Sequence, residues 1–177
     1  YAIRRNSDIK INACQFLVSY PVYFNMHVQD IDEISDFAPN RVLVNGSHYL
    51  LKRKEVNYQL GASLRYQKLF EYKSQYLGSN IVLLGSYFID ETMNMLKLVS
   101  NFDAVLFKGH PAIDVDVYRD SMGENIKVIN ENIYDLFPKT ALIIGSATGS
   151  LVEAIACGVS VVVVARKNEL ITNPLVD

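Results

Sequence analysis

The second half of the chain alternates short apolar runs with amphipathic segments. The apolar runs are NIVLLGSYF (80 to 88), DAVLFKGHP (103 to 111), IKVIN (126 to 130), TALIIGS (140 to 146) and SVVVVAR (160 to 166). Runs of Val, Ile and Leu without polar alternation predict strands buried on both faces. The segments between them, such as DETMNMLKLVSNF, DVDVYRDSM, NIYDLF and GSLVEAIACG, predict helices. Because strands that alternate with helices are typical of βαβ crossovers, the pattern predicts an α/β fold with a Rossmann-like, doubly wound parallel sheet over about 80 to 165.

The first part of the chain is less periodic. RVLVNG (41 to 46) predicts a strand, SHYLLKRKEV (47 to 56) a helix with Ser47 as its N-cap, and QKLFEYKSQYL (67 to 77) an amphipathic helix. YQLGASLRY (58 to 66) fits a segment that crosses between domains, INACQFLVSY a weak strand, and QDIDEISDFAPN an acidic loop. These patterns predict a boundary near 56, with 1–56 as the end of an amino-terminal α/β domain and 57–177 as a second, Rossmann-like domain.

Composition narrows the class of protein. The 177 residues are 50% hydrophobic and 20% charged, which suits a folded core, and the net charge of −2 does not favour a nucleic-acid groove. Cys14 and Cys157 lie in apolar runs, which predicts buried free thiols in a reducing cytosol. The apolar runs are shorter than the roughly 18 to 20 residues that span a bilayer. The chain begins on a tyrosine without a signal pattern, so we expect an excised fragment of a longer protein.

The segment GSATGSLVEA (145 to 154) has the composition of an anion site. Gly145 and Gly149 let the backbone turn and let a ligand approach, and a helix that starts after them would direct free N–H groups at a phosphate. Ser146, Thr148 and Ser150 add hydroxyl donors. The alternative is that Ser146 or Thr148 only caps the helix, with Glu153 in its first turns for dipole reasons.

The segment KGHP (108 to 111) ends another predicted strand. A residue before proline is held extended, so His110 ends the strand, and Lys108 and His110 suit anions such as phosphate or carboxylate. Ligands of doubly wound sheets bind beyond the carboxyl ends of the strands, where Gly85, Ser86 and the segment 130 to 132 are also expected. In GASLRY (61 to 66), Arg65 either faces an anion or forms a salt bridge between domains.

The order of these motifs resembles a known family. VNGSHYLLK, GASLRY, KGHP and GSATGSLVEA together resemble the carboxyl-terminal half of GT-B glycosyltransferases, especially bacterial enzymes that build surface polysaccharides. The HP dipeptide and the hydroxyl-rich loop are similar to the HP and Ser-rich motifs of polysialyltransferases and of CDP-glycerol-type polymerases. The resemblance covers about 40 to 165.

The resemblance implies a donor-binding domain for a nucleotide-sugar, with a carbohydrate or lipid-linked acceptor and without a catalytic metal or other cofactor. It implies that Lys108, His110 and Pro111 contact the phosphate or nucleotide, that the loop 146 to 150 cradles the diphosphate, and that Glu153 binds a ribose. Gly85 and Ser86 would lie near the sugar or phosphate. The implied location is cytoplasmic, with peripheral association of the full-length protein at the inner membrane face as the alternative. A UDP-sugar 2-epimerase of the same architecture and a non-catalytic scaffolding domain remain alternative functions.

Overall fold

The computed structural model describes residues 9–16, 27–35, 37–62, 64–72, 78–165, 173 and 175. The chain divides into two compact units, Tyr1–Gln67 and Lys68–Asp177. The sheet of each unit is parallel, so the predicted α/β class is confirmed.

The first unit contains a three-stranded sheet. Its strands are β1 (Asn12–Cys14), β2 (Arg41–Val44) and β3 (Asn57–Leu60), and they lie in the order β1-β2-β3. Helix α1 (Asp30–Ile34) and two 3₁₀ turns, Ser47–Tyr49 and Leu64–Tyr66, complete the described part of the unit. Its core is a cluster of small apolar side chains: Val28, Ala38, Val42, Val44 and Val56.

The second unit contains a five-stranded sheet. The chain order is α2 (Gln67–Glu71, which begins at the unit boundary), β4 (Asn80–Leu84), α3 (Ile89–Leu98), β5 (Val105–Lys108), a 3₁₀ helix (Val115–Ser121), β6 (Ile126–Val128), α4 (Ile133–Leu136), a 3₁₀ turn (Phe137–Lys139), β7 (Thr140–Gly145), α5 (Ser150–Ala156) and β8 (Ser160–Val163). The five predicted strands of this half are confirmed. Their order in the sheet is β6-β5-β4-β7-β8.

Both faces of the second sheet are covered, as the uninterrupted apolar runs predict. Alternate residues of a strand point to opposite faces, and in β4 Leu83 joins one core cluster while Val82 and Leu84 join the other. One cluster packs against Met95 and Leu96 of α3, and the opposite cluster contains residues of α5 such as Leu151. The sheet is therefore doubly wound.

Helix predictions in the less periodic part were partly wrong. Residues 47 to 56 do not form the predicted helix, because the chain leaves a 3₁₀ turn at Leu50 in extended conformation (φ −72°, ψ 110°) and continues to β3. Ser47 is not an N-cap either: Gly46 occupies the N-cap position of the 3₁₀ turn, and no side chain forms a capping hydrogen bond there. The predicted acidic loop at 29 to 40 contains α1. The predicted helix 67 to 77 begins correctly with α2, and its part 73 to 77 lies outside the described residues.

The segment 57 to 67 lies with the first unit, whereas the sequence suggested that the second domain starts at 57. The cause is β3, which pairs in parallel with β2 from Asn57 to Leu60 and thereby extends the first sheet. The two thiols also differ from each other. Cys157 is buried as predicted, but Cys14 is exposed, because it lies on the solvent side of the short strand β1.

Candidate functional site

The second sheet reverses its direction of growth between β4 and β7. From β4 the chain adds β5 and β6 on one side, then crosses over to add β7 and β8 on the other. Two crossover connections leave in opposite directions from such a pair of strands, which opens a crevice at their carboxyl ends. Gly85 follows β4 and Gly145 ends β7, so the pairs Gly85-Ser86 and Gly145-Ser146 flank this switch point.

Gly85 lies against the backbone of the KGHP segment. Its N–H donates to the Lys108 carbonyl oxygen at 2.8 Å, and a Cβ at position 85 would come within 2.9 Å of the His110 amide nitrogen. Only a residue without a side chain allows this close approach. The strand ends of β4 and β5 are therefore brought together as the sequence predicts.

His110 is held in a defined orientation at this edge. Its Nδ1 accepts a hydrogen bond from the Ala112 N–H at 3.2 Å, so in the neutral ring the proton resides on Nε2. Lys108 is half-buried, and within the described residues its ammonium has no ion-pair or hydrogen-bond partner. Lys108 pairs in register with Leu84, which packs in the same cluster as Leu151. Lys108 therefore lies on the face of the sheet that α5 covers.

The loop between β7 and α5 is capped mainly by its own residues. The Ser150 N–H donates to Thr148 Oγ1 at 3.3 Å, and the Leu151 and Val152 N–H groups donate to the carbonyl oxygens of Thr148 and Gly149. These helix-start amides are therefore not free, in contrast to the sequence-based expectation. Hydroxyls are among the groups of the loop that remain for a ligand, because Thr148 can still donate its hydroxyl hydrogen and Ser150 Oγ has no partner in the described structure.

Two buried polar side chains at the same loop form no hydrogen bond with the described part of the chain. Ser146 is 5% exposed and Glu153 is 6% exposed, and neither the Ser146 hydroxyl nor the Glu153 carboxylate is bonded to any described residue. The fully buried side-chain atoms that lack a partner in the described residues belong to Glu33, Asn45 and Tyr118, so the Ser146 hydroxyl and the Glu153 carboxylate are not orphaned in this sense. With Lys108, these side chains form the unpartnered set of the site.

Ser86 differs from Ser146, although each follows a glycine. Ser86 is 2% exposed, its hydroxyl donates to Glu91 Oε2, and its N–H donates to Thr92 Oγ1 at 2.9 Å. The Phe88 N–H in turn donates to Ser86 Oγ at 3.2 Å. The predicted site residue Ser86 therefore uses its hydroxyl to join β4 to α3.

The remaining sequence-based site residues lie in other surroundings. Pro111 is exposed and begins the turn after His110. Arg65 belongs to the first unit, where it lies exposed on the 3₁₀ turn Leu64–Tyr66. At the end of the outer strand β6, Glu131 pairs with Lys139 at 3.0 Å and Asn132 caps α4 through the Tyr134 N–H. The groups at the end of β6 are thus bonded to each other, and β6 is not one of the two strands that form the switch point.

Two residues at the site were not predicted. Asn173 is 3% exposed, and its side-chain amide donates to the Ser146 carbonyl oxygen, while its Oδ1 accepts from the Leu175 N–H at 2.8 Å. Tyr87 is 61% exposed and lies edge-to-face with His110, with ring centroids 5.7 Å apart. A sequence signal exists only for Tyr87, which falls between the end of a strand and the start of a helix in an apolar run.

Cys157 lies one helical turn beyond Glu153 and shares its surroundings. Burial raises the pKa of the Cys157 thiol, and the nearby negative charge of Glu153 raises it further. Tyr72 packs against the same cluster, and burial followed by the nearby Cys157 raises the pKa of its phenol.

A separate cavity of about 640 Å³ lies at the opposite edge of the sheet, at the amino ends of β4 and β5. Asn80, Asn125 and Lys127 are among its lining residues. The Asn125 amide already donates to the Val99 and Phe102 carbonyl oxygens, so it stabilises the end of α3. We assign the candidate site to the carboxyl edge, because Lys108, Ser146 and Glu153, which form no bond with a described residue, lie on or next to the elements that meet there.

Comparisons with protein-family models, with curated proteins and with solved structures found no match to this chain. In the described ranges, no group of three or more His, Cys, Asp or Glu side chains is arranged to hold a metal ion. The helices in those ranges are all too short or too polar to cross a membrane.

Proposed function

We propose that this chain is the donor-binding part of a metal-independent, nucleotide-sugar-dependent glycosyltransferase of GT-B architecture. The acceptor would be a surface carbohydrate or a lipid-linked carbohydrate. The observation that carries the proposal is the unpartnered set at the switch point, which combines a cation, a hydroxyl and a carboxylate: Lys108, Ser146 and Glu153.

The charges of this set favour a ligand with two chemical parts. Lys108 and the Nε2–H of His110 are donors suited to phosphate oxygens, and the hydroxyls of Thr148 and Ser150 add further donors. A carboxylate repels phosphate but accepts hydrogen bonds from hydroxyl groups. Glu153 therefore supports a ligand that carries both phosphate and sugar hydroxyls, such as a nucleotide-sugar, over inorganic phosphate alone.

The same groups suit the chemistry of glycosyl transfer. When the bond between the sugar and the diphosphate breaks, negative charge develops on the departing phosphate. Donors that are already in place stabilise this charge without reorganisation. Lys108 and His110 would perform this role at the leaving group, while the acceptor and the base that activates it would come from the rest of the full-length enzyme.

The first experiment is calorimetric titration of the chain with CMP, CDP, UDP and GDP. We expect at least one nucleotide to bind, and we expect the double variant His110→Ala with Ser146→Ala to weaken it. His48→Ala is the matched control, because His48 is exposed and lies in the first unit. Binding of none of the four nucleotides, or binding that the double variant leaves unchanged, would overturn the proposal.

The 2-epimerase alternative requires an assay of the full-length protein. Incubation with UDP-N-acetylglucosamine alone and together with an acceptor glycan distinguishes the two activities. A glycosyltransferase consumes the donor productively only when the acceptor is present, whereas an epimerase converts it without an acceptor.

A further inference from the structure

Three consecutive large apolar side chains lie exposed beside the switch point. Tyr87 is 61% exposed, Phe88 42% and Ile89 46%, and they follow the Gly85-Ser86 pair directly. Contiguous exposed apolar surface beside a binding crevice marks a site of interaction more often than chance. Tyr87 is the member of this run that reaches the candidate site, because its ring contacts His110.

The backbone on both sides of Tyr87 is fixed. On one side, the Ser86 N–H donates to Thr92 Oγ1 at 2.9 Å and the Ser86 hydroxyl donates to buried Glu91. On the other side, the Phe88 N–H donates to Ser86 Oγ at 3.2 Å. The turn therefore presents the Tyr87 ring from an anchored backbone, and a ligand that binds the ring loses little affinity to the ordering of the loop.

The position of the ring relative to His110 limits what it can contact. The two ring centroids are 5.7 Å apart with an interplanar angle of 84°, so the rings meet edge to face and do not stack on each other. Tyr87 and Phe88 also meet edge to face, at 87°. Because Tyr87 is 61% exposed, the ring keeps surface available for a flat partner.

We propose that Tyr87 is the stacking surface for the nucleobase of the bound nucleotide. This inference rests on the proposed function, since it takes a phosphate-bearing ligand at Lys108 and His110 as its starting point. A base offers the flat π face that an aromatic ring binds, whereas the hydroxyl-rich sugar requires polar partners such as Glu153. Because every base has such a face, Tyr87 contributes affinity and does not select among bases.

Calorimetry on the full chain separates the base from the phosphates. Inorganic pyrophosphate probes the phosphate-binding groups alone, and CDP, UDP and GDP probe phosphate and base together. We expect Tyr87→Ala to weaken nucleoside diphosphate binding about tenfold, the range for loss of one stacked base being about 5-fold to 150-fold, and to leave pyrophosphate binding unchanged. Tyr87→Phe should retain the wild-type affinities. Phe70→Ala is the matched control, since Phe70 is 79% exposed on α2 in the second unit.

The outcomes separate the two proposals. If pyrophosphate and the nucleotides bind but Tyr87→Ala weakens neither, or weakens both equally, the role of Tyr87 is overturned and the donor-site proposal stands. If no ligand binds, the donor-site proposal fails and the role of Tyr87 fails with it. NMR supplies an independent measurement on the wild-type chain: nucleotides should shift the Tyr87 ring protons and pyrophosphate should not. Ring signals that respond equally to both ligands would contradict stacking.

Discussion

The same dipeptide, Gly-Ser, lies at the ends of the two strands that flank the switch point, yet the two serine hydroxyls differ in their hydrogen bonds. Gly85-Ser86 directly follows β4, the pair Gly145-Ser146 spans the end of β7, and each pair precedes a helix with a buried glutamate near its start. The Ser86 hydroxyl is bonded to Glu91, whereas the Ser146 hydroxyl and Glu153 have no partners among the described residues.

Spacing explains the difference. Glu91 lies 5 residues after Ser86, but Glu153 lies 7 residues after Ser146, since 153 − 146 = 7. The longer loop includes Thr148, whose hydroxyl caps the Ser150 N–H, so α5 does not need Ser146 as a cap. A glycine and serine at a strand end therefore do not define a ligand site by themselves. The site requires a loop in which other groups satisfy the helix.

Replacing each glutamate separately should give the largest difference in stability between the two strand ends. Glu91→Ala removes the acceptor of a buried, charge-assisted hydrogen bond, and we expect the free energy of unfolding to fall by about 2–3 kcal/mol. Glu153→Ala removes a carboxylate without a hydrogen-bond partner, so the change should stay below about 1 kcal/mol in either direction. Urea denaturation of both variants measures the two values. An equal loss for both would mean that Glu153 is bonded after all.

The two glycines should differ next. In Gly85→Ala the new Cβ meets the backbone of 109 and 110 at 2.9–3.4 Å, and overpacking against backbone should cost about 1–3 kcal/mol. In Gly145→Ala the new Cβ meets the Leu151 side chain at 3.0–3.4 Å, and the ends of that side chain can move, so we expect less than about 1 kcal/mol. Thermal and urea unfolding test the order of the two costs, and the reverse order would contradict the close approach of β4 to the KGHP segment.

The two serines should separate stability from binding. We expect Ser86→Ala to lower the free energy of unfolding by about 1 kcal/mol and to leave pyrophosphate affinity unchanged. Ser146→Ala should change stability by less than about 0.5 kcal/mol and weaken pyrophosphate about fivefold, which corresponds to one hydrogen bond. Paired denaturation and calorimetry decide the matter. A stability loss without a loss of binding in Ser146→Ala would mean that its hydroxyl is structural too.

The smallest expected effect is a pH dependence of the free energy of unfolding, caused by Cys157 near Glu153. Burial, and then the charge of Glu153, raise the pKa of Cys157 above its ordinary value of 9.0, so the folded protein keeps this proton where the unfolded chain has lost it. Stability is therefore full below the ordinary pKa of the thiol and falls as pH rises through the folded pKa. Glu153→Gln removes the second cause and should make this fall shallower. Cys157→Ala should remove the thiol's share, leaving that of Tyr72, whose pKa is also raised.

Urea midpoints at about pH 8 and about pH 10 measure the effect in the three chains. Glu91→Gln is the control for a change of charge on the other helix, because Glu91 does not contribute to the shift of Cys157. Identical alkaline slopes in wild type and Glu153→Gln would show that the Glu153 carboxylate points away from the thiol.

Much of the second unit could be predicted from the sequence because its strands are buried on both faces. A run such as TALIIG has few conformational alternatives, and the glycines and proline after the runs mark the strand ends. Residues 47 to 56 lack such a pattern. Their helix-forming lysines and arginine instead occupy the connection between β2 and β3, where Arg53 pairs with Asp30. Tertiary pairing of β3 overrides local helix propensity there.

The sequence predicts where the candidate site lies, but it does not predict which of its side chains are available to a ligand. Strand ends identify the edge of the sheet, so Lys108, His110 and the loop 145 to 150 could be named without a structure. Which hydroxyl is free depends on hydrogen bonds set by the spacing of each helix, and Ser86 and Ser146 are indistinguishable at the level of the dipeptide. Asn173 had no signal at all, since its contact with Ser146 joins residues 27 positions apart.

That long separation between Asn173 and Ser146 has a consequence during synthesis. The ribosome adds residues in order, at about 5–20 per second, so the 27 positions correspond to a few seconds of translation. The fifth strand, β8, is complete at Val163, and ten more residues are added before Asn173 can supply the amide donor to the carbonyl group of Ser146. The loop that ends β7 therefore gains this hydrogen bond only after the strands that frame it have been made.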